Sequence, residues 1–211
     1  MIKSFLNWIK VNRAIAIQCI ALFLLSITVT IVVTRWRHKS VAASEGFDFA
    51  ARRNQSSSGP KIGEAISLKI PKGEDGRSLA EAAGDKSLYM IAVVDPTCPA
   101  CKAAESEMSG ISKRLSSSGI PYFLLMLTNT DRTTQYFEYA GSIGLRSHAL
   151  VWRTDETAPP SSLSEMVIPS HLLVNRDGLI VDKWPGTHQN PVVRQRMINQ
   201  ITADAISYLP H

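Results

Sequence analysis

From residue 61 onward, short apolar runs alternate with segments in which apolar residues recur every three or four positions. Ile66, Leu68 and Ile70 alternate with polar residues, which predicts a half-buried strand. A continuous apolar run is typical of a strand that is covered on both faces. Short runs of this kind predict three further strands: Leu88–Val94, Tyr122–Leu127 and Ala149–Trp152.

Three helices are predicted from apolar residues at helical spacing. The first follows Cys98, ends at Ser116–Gly119 and has its apolar face on Cys101, Ala104, Met108, Ile111 and Leu115. The second covers Asp131–Ile143, with Asp131 as its N-cap. The third closes the chain and has its apolar face on Val193, Met197, Ile201, Ala205 and Tyr208.

A hairpin is predicted between the second and third helices. The strands His171–Val174 and Leu179–Trp184 flank Asn175–Gly178, which has the composition of a tight turn. Strand–helix–strand units followed by a hairpin and a final helix are typical of an α/β sandwich with a central mixed sheet. The region 61–211 has about 150 residues, enough for one well-buried core.

The N-terminal part of the chain has the pattern of a membrane anchor. Ala14–Thr34 is a run of 21 residues without a charged side chain, and a helix of that length rises roughly 30 Å, the hydrocarbon thickness of a bilayer. Basic residues flank both ends, and Trp8 and Trp36 lie near the expected interfaces. We predict an uncleaved transmembrane helix over 14–34 after a cytoplasmic segment 1–13. A signal peptide cleaved near Val41–Ala43 is the alternative.

Charge supports a membrane partner and not a nucleic acid. Residues 1–59 hold eight basic and two acidic residues, a net charge of +6, whereas residues 60–211 hold fifteen basic and sixteen acidic residues, a net charge of −1. A nucleic-acid-binding domain would be basic itself. The small, polar segment 35–60 is predicted to be a flexible linker. Basic residues are balanced across the anchor, so charge alone does not predict topology.

The candidate chemistry lies at Cys98-Pro99-Ala100-Cys101, directly after a predicted buried strand and at the start of a helix. Residues three apart on a helix are neighbours, so the two sulfurs can meet. Free N–H groups at the helix N-terminus favour the thiolate of Cys98, and Pro99 suits the first helical position. Cys101 lies one turn inside and can attack a mixed disulfide. Cys19, in the predicted span, is interpreted as a small apolar residue.

The same residues allow other interpretations of the cysteine pair. A structural zinc site needs two more ligands, and the histidines of this domain show no paired spacing. Two inert core cysteines are disfavoured by the prolines beside them. The functional alternative is a copper metallochaperone that uses Cys98, Cys101 and a third ligand to carry Cu(I). A redox function of the pair itself requires neither a metal nor a cofactor.

Two segments of the chain resemble the thioredoxin superfamily. Val93–Lys102 is similar to its active-site segment, and Ile168–Val181 is similar to the signature in which a cis-proline precedes an edge hairpin and faces the cysteine pair. Within the superfamily the chain resembles membrane-anchored redoxins. These include thiol–disulfide oxidoreductases of cytochrome c maturation and the accessory protein of methylamine dehydrogenase maturation. The resemblance covers about residues 61–209.

This resemblance implies a thioredoxin-like α/β fold with one N-terminal transmembrane helix. It implies that Cys98 is the attacking cysteine, that Cys101 is the resolving cysteine and that Pro169 is the cis-proline. Ile168 would offer main-chain groups to a bound peptide. Thr97, which replaces a tryptophan common in relatives, is assigned to the same substrate-binding set.

One expected group has no clear counterpart in this sequence. Many relatives carry a buried carboxylate that assists proton transfer, but Ala92 and Ala104 occupy the plausible positions here. Asp95 or Glu105 could take its place, although surface or capping roles suit both residues better.

The resemblance also implies partners and location. The expected partners are protein thiols or disulfides and a membrane-bound or soluble electron donor. The domain is expected on the outer side of the cytoplasmic membrane, in the periplasm or at the cell exterior, with the N-terminus inside. The natural substrate and the direction of electron flow stay open, because direction depends on the reduction potential of the cysteine pair relative to its partner.

Overall fold

The structure is a computed structural model, and it describes residues 59–128 and 132–209 together with Phe23 and Ser26. The two long ranges belong to the unit Asp48–His211. The predicted segment 1–13, nearly all of the predicted anchor Ala14–Thr34 and the linker up to residue 58 lie outside the described residues. Within the described part, no helix is long and apolar enough to span a membrane.

One mixed sheet of five strands forms the centre of the domain. The strands are β1 Leu88–Val94, β2 Tyr122–Thr128, β3 Ala149–Arg153, β4 Ser170–Asn175 and β5 Ile180–Pro185, in the spatial order β3-β2-β1-β4-β5. β1, β2 and β3 are parallel, whereas β4 is antiparallel to both β1 and β5. All seven residues of central β1 are buried, which explains its unbroken apolar run. The predicted α/β fold with a mixed sheet is confirmed.

Helices cover both sides of this sheet. They are α1 Leu79–Ala83, α2 Pro99–Ala103, α3 Glu105–Ser117, α4 Thr133–Ser142, α5 Ser161–Ser164 and α6 Pro191–Ser207. α1 begins with a capping box, in which Ser78 and Glu81 satisfy each other's main-chain N–H groups. α6 begins at Asn190, whose side chain accepts hydrogen bonds from two N–H groups of the first turn. α3 and α6 pack against each other.

The predicted strands agree with the structure except at the start of the domain. The turn before β5 is formed as expected, and Gly178 adopts a φ of +84° in it. The strand predicted over Ile66–Ile70 is wrong, since this described segment makes only an isolated bridge between Ala65 and Leu179. Ile66 is still 4% exposed, and its N–H donates to Gly178 O at 3.0 Å. The alternation reflects an irregular segment buried against the hairpin.

The helix that follows Cys98 differs from the predicted continuous helix. Ala104, with φ −92° and ψ 1°, separates α2 from α3. Its N–H is shared between the carbonyls of Ala100 and Cys101, so the chain tightens locally before α3 begins. The predicted apolar face nevertheless holds, because Cys101, Ala104, Met108, Ile111 and Leu115 are all 0% exposed.

Two helix ends also need correction. α4 begins at Thr133 with Arg132 in the N-cap position and no side-chain cap bond, and the predicted N-cap Asp131 lies outside the described residues. Tyr208 lies beyond the end of α6 and is 43% exposed, so it does not belong to the buried face. The other four predicted residues of that face are buried: Val193, Met197, Ile201 and Ala205.

The core is divided by the sheet into two layers. The layer called here the cysteine face contains Leu88, Met90, Ala92 and Val94 of β1 together with Cys101 and apolar residues of α3, α4 and α6. The layer called the opposite face contains Tyr89, Ile91 and Val93 of β1 together with residues of α1 and Leu163 of α5. This division follows from the alternation of side chains along each strand.

Candidate active site

Cys98 and Cys101 lie where β1 ends and α2 begins. Cys98 is the N-cap residue of α2 with an extended backbone (φ −75°, ψ 121°), and Pro99 takes the first helical position. Cys98 is half-buried, whereas Cys101 is fully buried, and both are free thiols. This arrangement offers one accessible thiol and shields the other.

Asp95 shapes the loop that carries Cys98. Its Oδ1 accepts hydrogen bonds from the N–H and the hydroxyl of Thr97, both at 2.7 Å. Its main-chain oxygen accepts from Cys98 N–H at 3.0 Å, and its N–H donates to Cys101 Sγ at 3.4 Å. The Asp95 side chain therefore stabilises the loop before α2, and Glu105 lies partly exposed in the first turn of α3.

The thiol of Cys101 is held in an apolar environment. Burial raises the pKa of this thiol to about 12, and the hydrogen bond from Asp95 N–H opposes that rise. Tyr139 of α4 donates a hydrogen bond to Cys101 O at 3.4 Å. A thiol with so high a pKa is protonated at neutral pH. Its use as a nucleophile therefore requires a group that accepts its proton.

Pro169 lies at the same end of the sheet as the cysteines. The Ile168–Pro169 peptide bond is cis, as the resemblance implied. Ser170, the first residue of β4, pairs with Val93 near the end of β1. Because β1 and β4 are antiparallel neighbours, the end of β1 lies beside the start of β4. Pro169 and the Cys98 loop therefore lie at the same end of the sheet.

Ile168 offers main-chain groups that are not used within the domain. Its N–H and C=O make no hydrogen bond with any other described residue. Its side chain is half-buried between the two core layers, and the neighbouring Val167 is 48% exposed. An extended peptide could pair with such an edge through its own main chain.

An open groove borders the Cys98 loop. It is lined by Asp95, Thr97, Leu127, Thr128, Arg132, Tyr136, Thr154 and Ser164. The groove lies at the carboxyl ends of the parallel strands, a common place for ligands in α/β sheets. Thr97 is exposed there, directly before Cys98. Its assignment to substrate binding stays a prediction.

A buried imidazole and a buried phenol lie on the cysteine face. His171 of β4 and Tyr122 of β2 are both almost fully shielded from solvent, and Tyr122 Oη lies 3.0 Å from His171 Nε2. Burial lowers the pKa of His171 to about 4 and raises that of Tyr122 well above its usual value. Both rings are therefore neutral at pH 7.

A buried carboxyl group lies on the same side of the sheet. Glu107 of α3 is 0% exposed, and its Oε2 accepts a hydrogen bond from the hydroxyl of Thr187 at 2.5 Å. Burial raises the pKa of Glu107 to about 7, while Thr187 and Arg194 act in the opposite direction. Its Oε1 has no hydrogen-bond partner among the described residues.

The sequence reasoning missed both His171 and Glu107 as buried polar groups, although each leaves a signal. His171 stands inside the apolar run of β4, where five of six residues are buried. Glu107 falls between Ala104 and Ile111 at helical spacing, on the face that the apolar residues define.

The described residues contain no cluster of three or more His, Cys, Asp or Glu side chains that could hold a metal ion. Within the described part of the chain the cysteine pair therefore has no His, Asp or Glu side chain placed as a third ligand. The copper metallochaperone alternative gains no support from the structure and stays a prediction.

No protein-family model matches the chain, and no curated protein matches it. Among solved structures it is similar to a candidate thiol:disulfide interchange protein DsbE from Chlorobium tepidum, with a TM-score of 0.50 and 16% identity over 69% of this chain and 98% of that chain. It is also similar to a thiol:disulfide interchange protein from Bacteroides sp., with a TM-score of 0.48 and 13% identity over 69% and 89% of the two chains. The first likeness shows the fold, which is thioredoxin-like.

Proposed function

We propose that this chain is a membrane-tethered thiol–disulfide oxidoreductase whose Cys98–Cys101 pair exchanges with protein thiols or disulfides. The observation that carries the proposal is the junction of β1 and α2. It presents a half-buried Cys98 three residues before a fully buried Cys101, at the end of the sheet where cis-Pro169 directly precedes β4. The unused main-chain groups of Ile168 add a place for an extended substrate.

The chemistry follows from the different exposure of the two thiols. In the reducing direction the Cys98 thiolate attacks a substrate disulfide, forms a mixed disulfide and releases one substrate thiol. Cys101 then attacks Cys98 Sγ, forms the Cys98–Cys101 disulfide and releases the second thiol. Two electrons pass from the dithiol to the substrate, and the reverse sequence oxidises a substrate dithiol.

Tethering and location belong to the proposal as well. The apolar run Ala14–Thr34 would anchor the domain in the cytoplasmic membrane, and the linker 35–60 would let it reach substrates on the outer side. The resemblance to redoxins of cytochrome c and methylamine dehydrogenase maturation favours a maturing redox enzyme as substrate. A membrane-bound or soluble electron donor would then renew the dithiol.

Disulfide reduction by the full-length chain in mild detergent tests this proposal. Insulin serves as substrate and dithiothreitol as the final reductant. We expect Cys98→Ser to reduce the rate to background, because no other exposed thiol of the described domain replaces it. Cys19→Ser is the matched control and should keep the native rate. Native activity in Cys98→Ser would contradict the mechanism.

Trapping in cells identifies the partner and the compartment. Cys101→Ser should leave the natural substrate joined to Cys98, because the resolving thiol is gone. A reporter fused to His211 should be active outside the cytoplasmic membrane. A reporter that is active only in the cytoplasm would refute the proposed topology without affecting the exchange chemistry.

A further inference from the structure

The rings of His171 and Tyr122 meet over the central strand of the sheet. β2 and β4 lie on either side of β1, and Ala92 of β1 is directly opposite His171. Because directly opposed residues share a face of the sheet, His171 belongs to the cysteine face. The methyl group of Ala92 leaves room above β1, where the ring centroids are 6.0 Å apart. Cys101 packs in the same layer as Ala92.

His171 keeps unused hydrogen-bonding capacity in this buried place. Its Nδ1 has no hydrogen-bond partner among the described residues. In the tautomer with the proton on Nε2, the ring donates to Tyr122 Oη and leaves a lone pair on Nδ1. Burial lowers the pKa of His171 to about 4, so this lone pair is available at neutral pH.

We propose that His171, oriented by Tyr122, accepts the proton of Cys101 when Cys101 attacks the mixed disulfide. The inference rests on the proposed function. His171 Nδ1 and the Cys101 thiol are not hydrogen-bonded to each other in this structure, so the two groups must come within reach in the mixed-disulfide state. The S–H bond of Cys101 then breaks and its proton passes to His171 Nδ1. The sulfur then bonds to Cys98 Sγ, and the bond from Cys98 to the substrate sulfur breaks with its electron pair on the substrate. The substrate thiolate takes up a proton, and the imidazolium gives one back, so the protein ends neutral and oxidised.

The electrostatics favour ionisation of Cys101 and His171 together. Cys101 and His171 each resist becoming charged alone, because burial raises the pKa of the thiol and lowers that of the imidazole. A thiolate and an imidazolium formed together attract each other in the same apolar layer, which offsets part of the burial cost. In this scheme Tyr122 is a positioning residue, because it holds the ring and does not touch the sulfur.

Glu107 is a further buried titratable group on this side of the sheet. The charge of Glu107 raises the pKa of Tyr122, and only burial raises that pKa more. Half-buried Thr187, which lies between β5 and α6, donates its hydroxyl hydrogen bond to Glu107. The other titratable or charged groups described on this side of the sheet include Cys98, Tyr136 and Tyr139 of α4, Asp182 of β5, Arg194 of α6 and Tyr208 after α6.

A coloured aromatic disulfide, dithiobis-nitrobenzoate, separates the two attacks in one measurement on the reduced full-length chain carrying Cys19→Ser, which removes the third thiol of the sequence. Attack by Cys98 releases the first aromatic thiolate, and attack by Cys101 on the mixed disulfide releases the second. The proposal concerns the second phase alone. Loss of the first phase in Cys98→Ser tests the proposed function, so failures of the two ideas are distinguishable.

The key variant is His171→Gln, whose amide can still hydrogen-bond to Tyr122 but cannot take a proton. We expect the second phase to slow about a hundredfold at pH 7, since general base catalysis is typically worth that much. The rate should recover as hydroxide deprotonates Cys101 at higher pH. Tyr122→Phe should show a smaller slowing in the same phase, and it serves if His171→Gln does not fold.

Tyr89→Phe is the matched control. Tyr89 is as buried as Tyr122 and its hydroxyl has no partner among the described residues, but it lies on the opposite face. Both phases should keep their native rates and pH profiles in this variant. A native second phase in folded His171→Gln would overturn the proposal. Equal slowing of both phases would also overturn it, because it would indicate a structural disturbance.

Discussion

The two faces of the sheet are built from consecutive residues of the same strands, yet they bury different chemistry. The opposite face is packed almost entirely with apolar side chains, and its Tyr89 Oη is a buried atom without a hydrogen-bond partner in the part of the chain that the structure describes. The cysteine face buries Glu107, His171 and Asp182 around the layer that holds Cys101. Burying polar groups costs free energy unless they are fully hydrogen-bonded, and Glu107 Oε1 and His171 Nδ1 have no partner among the described residues.

This difference indicates that the two faces of one small core have different roles. The opposite face gains stability from apolar packing, which is what a core usually supplies. The cysteine face keeps incompletely satisfied polar groups beside a buried thiol. Such departures from good packing concentrate at functional sites. The comparison can be tested by substitutions of neighbouring residues that point to opposite faces.

The largest effect is expected from Ile91→Ala on the opposite face. Ile91 is 0% exposed, so its truncation removes buried apolar area and leaves a cavity. We expect the free energy of unfolding in urea to fall by about 2–5 kcal/mol. Both phases of thiolate release should keep their native rates under folding conditions. A slower second phase would show that the two faces are not separable.

A second effect concerns the pH dependence of stability, in which two groups of the cysteine face oppose each other. The pKa of Glu107 is raised from 4.5 to about 7, so its contribution is full below pH 4.5 and is lost as the pH rises through 7. The pKa of His171 is lowered from 6.5 to about 4, so its contribution is full above pH 6.5 and is lost as the pH falls through 4. Each contribution is about 3 kcal/mol.

Single substitutions should uncover these opposed contributions. The native chain should have a nearly flat stability between pH 4.5 and pH 6.5, because the two contributions cancel there. In His171→Gln the free energy of unfolding should fall with rising pH, since the contribution of Glu107 is then no longer opposed by that of His171. In Glu107→Gln it should rise with pH by a similar amount. Urea unfolding at a series of pH values measures both slopes, and parallel curves for all three chains would contradict this assignment.

The sequence predicts those parts of the site that are specified by a few adjacent residues. The junction of β1 and α2, the two cysteines and the hairpin after Pro169 are local features, because each is specified by a few adjacent residues. The break at Ala104 and the irregular path of Ile66–Ile70 depend on packing against distant elements. Alternation alone therefore predicted burial correctly and secondary structure wrongly at Ile66.

The contact between the buried groups His171 and Tyr122 could not be predicted from the sequence, for a different reason. His171 and Tyr122 meet only because β4 and β2 lie on either side of β1, which is a property of the strand order. Residues 49 positions apart carry no pattern that reports this meeting. Ala92, one of the two positions at which the resemblance implies a carboxylate, lies directly opposite His171.

The smallest effect compares the same substitution on the two faces. Tyr89→Phe removes a hydroxyl without a partner, so the free energy of unfolding should change by less than about 1 kcal/mol or increase slightly. Tyr122→Phe removes the hydroxyl that binds His171 Nε2 and leaves a second buried ring nitrogen unpaired, which should cost about 1–3 kcal/mol. Urea unfolding at one pH measures both values. Equal values would mean that the hydrogen bond between Tyr122 and His171 does not contribute, and the polar pair would then lose its distinction from the rest of the core.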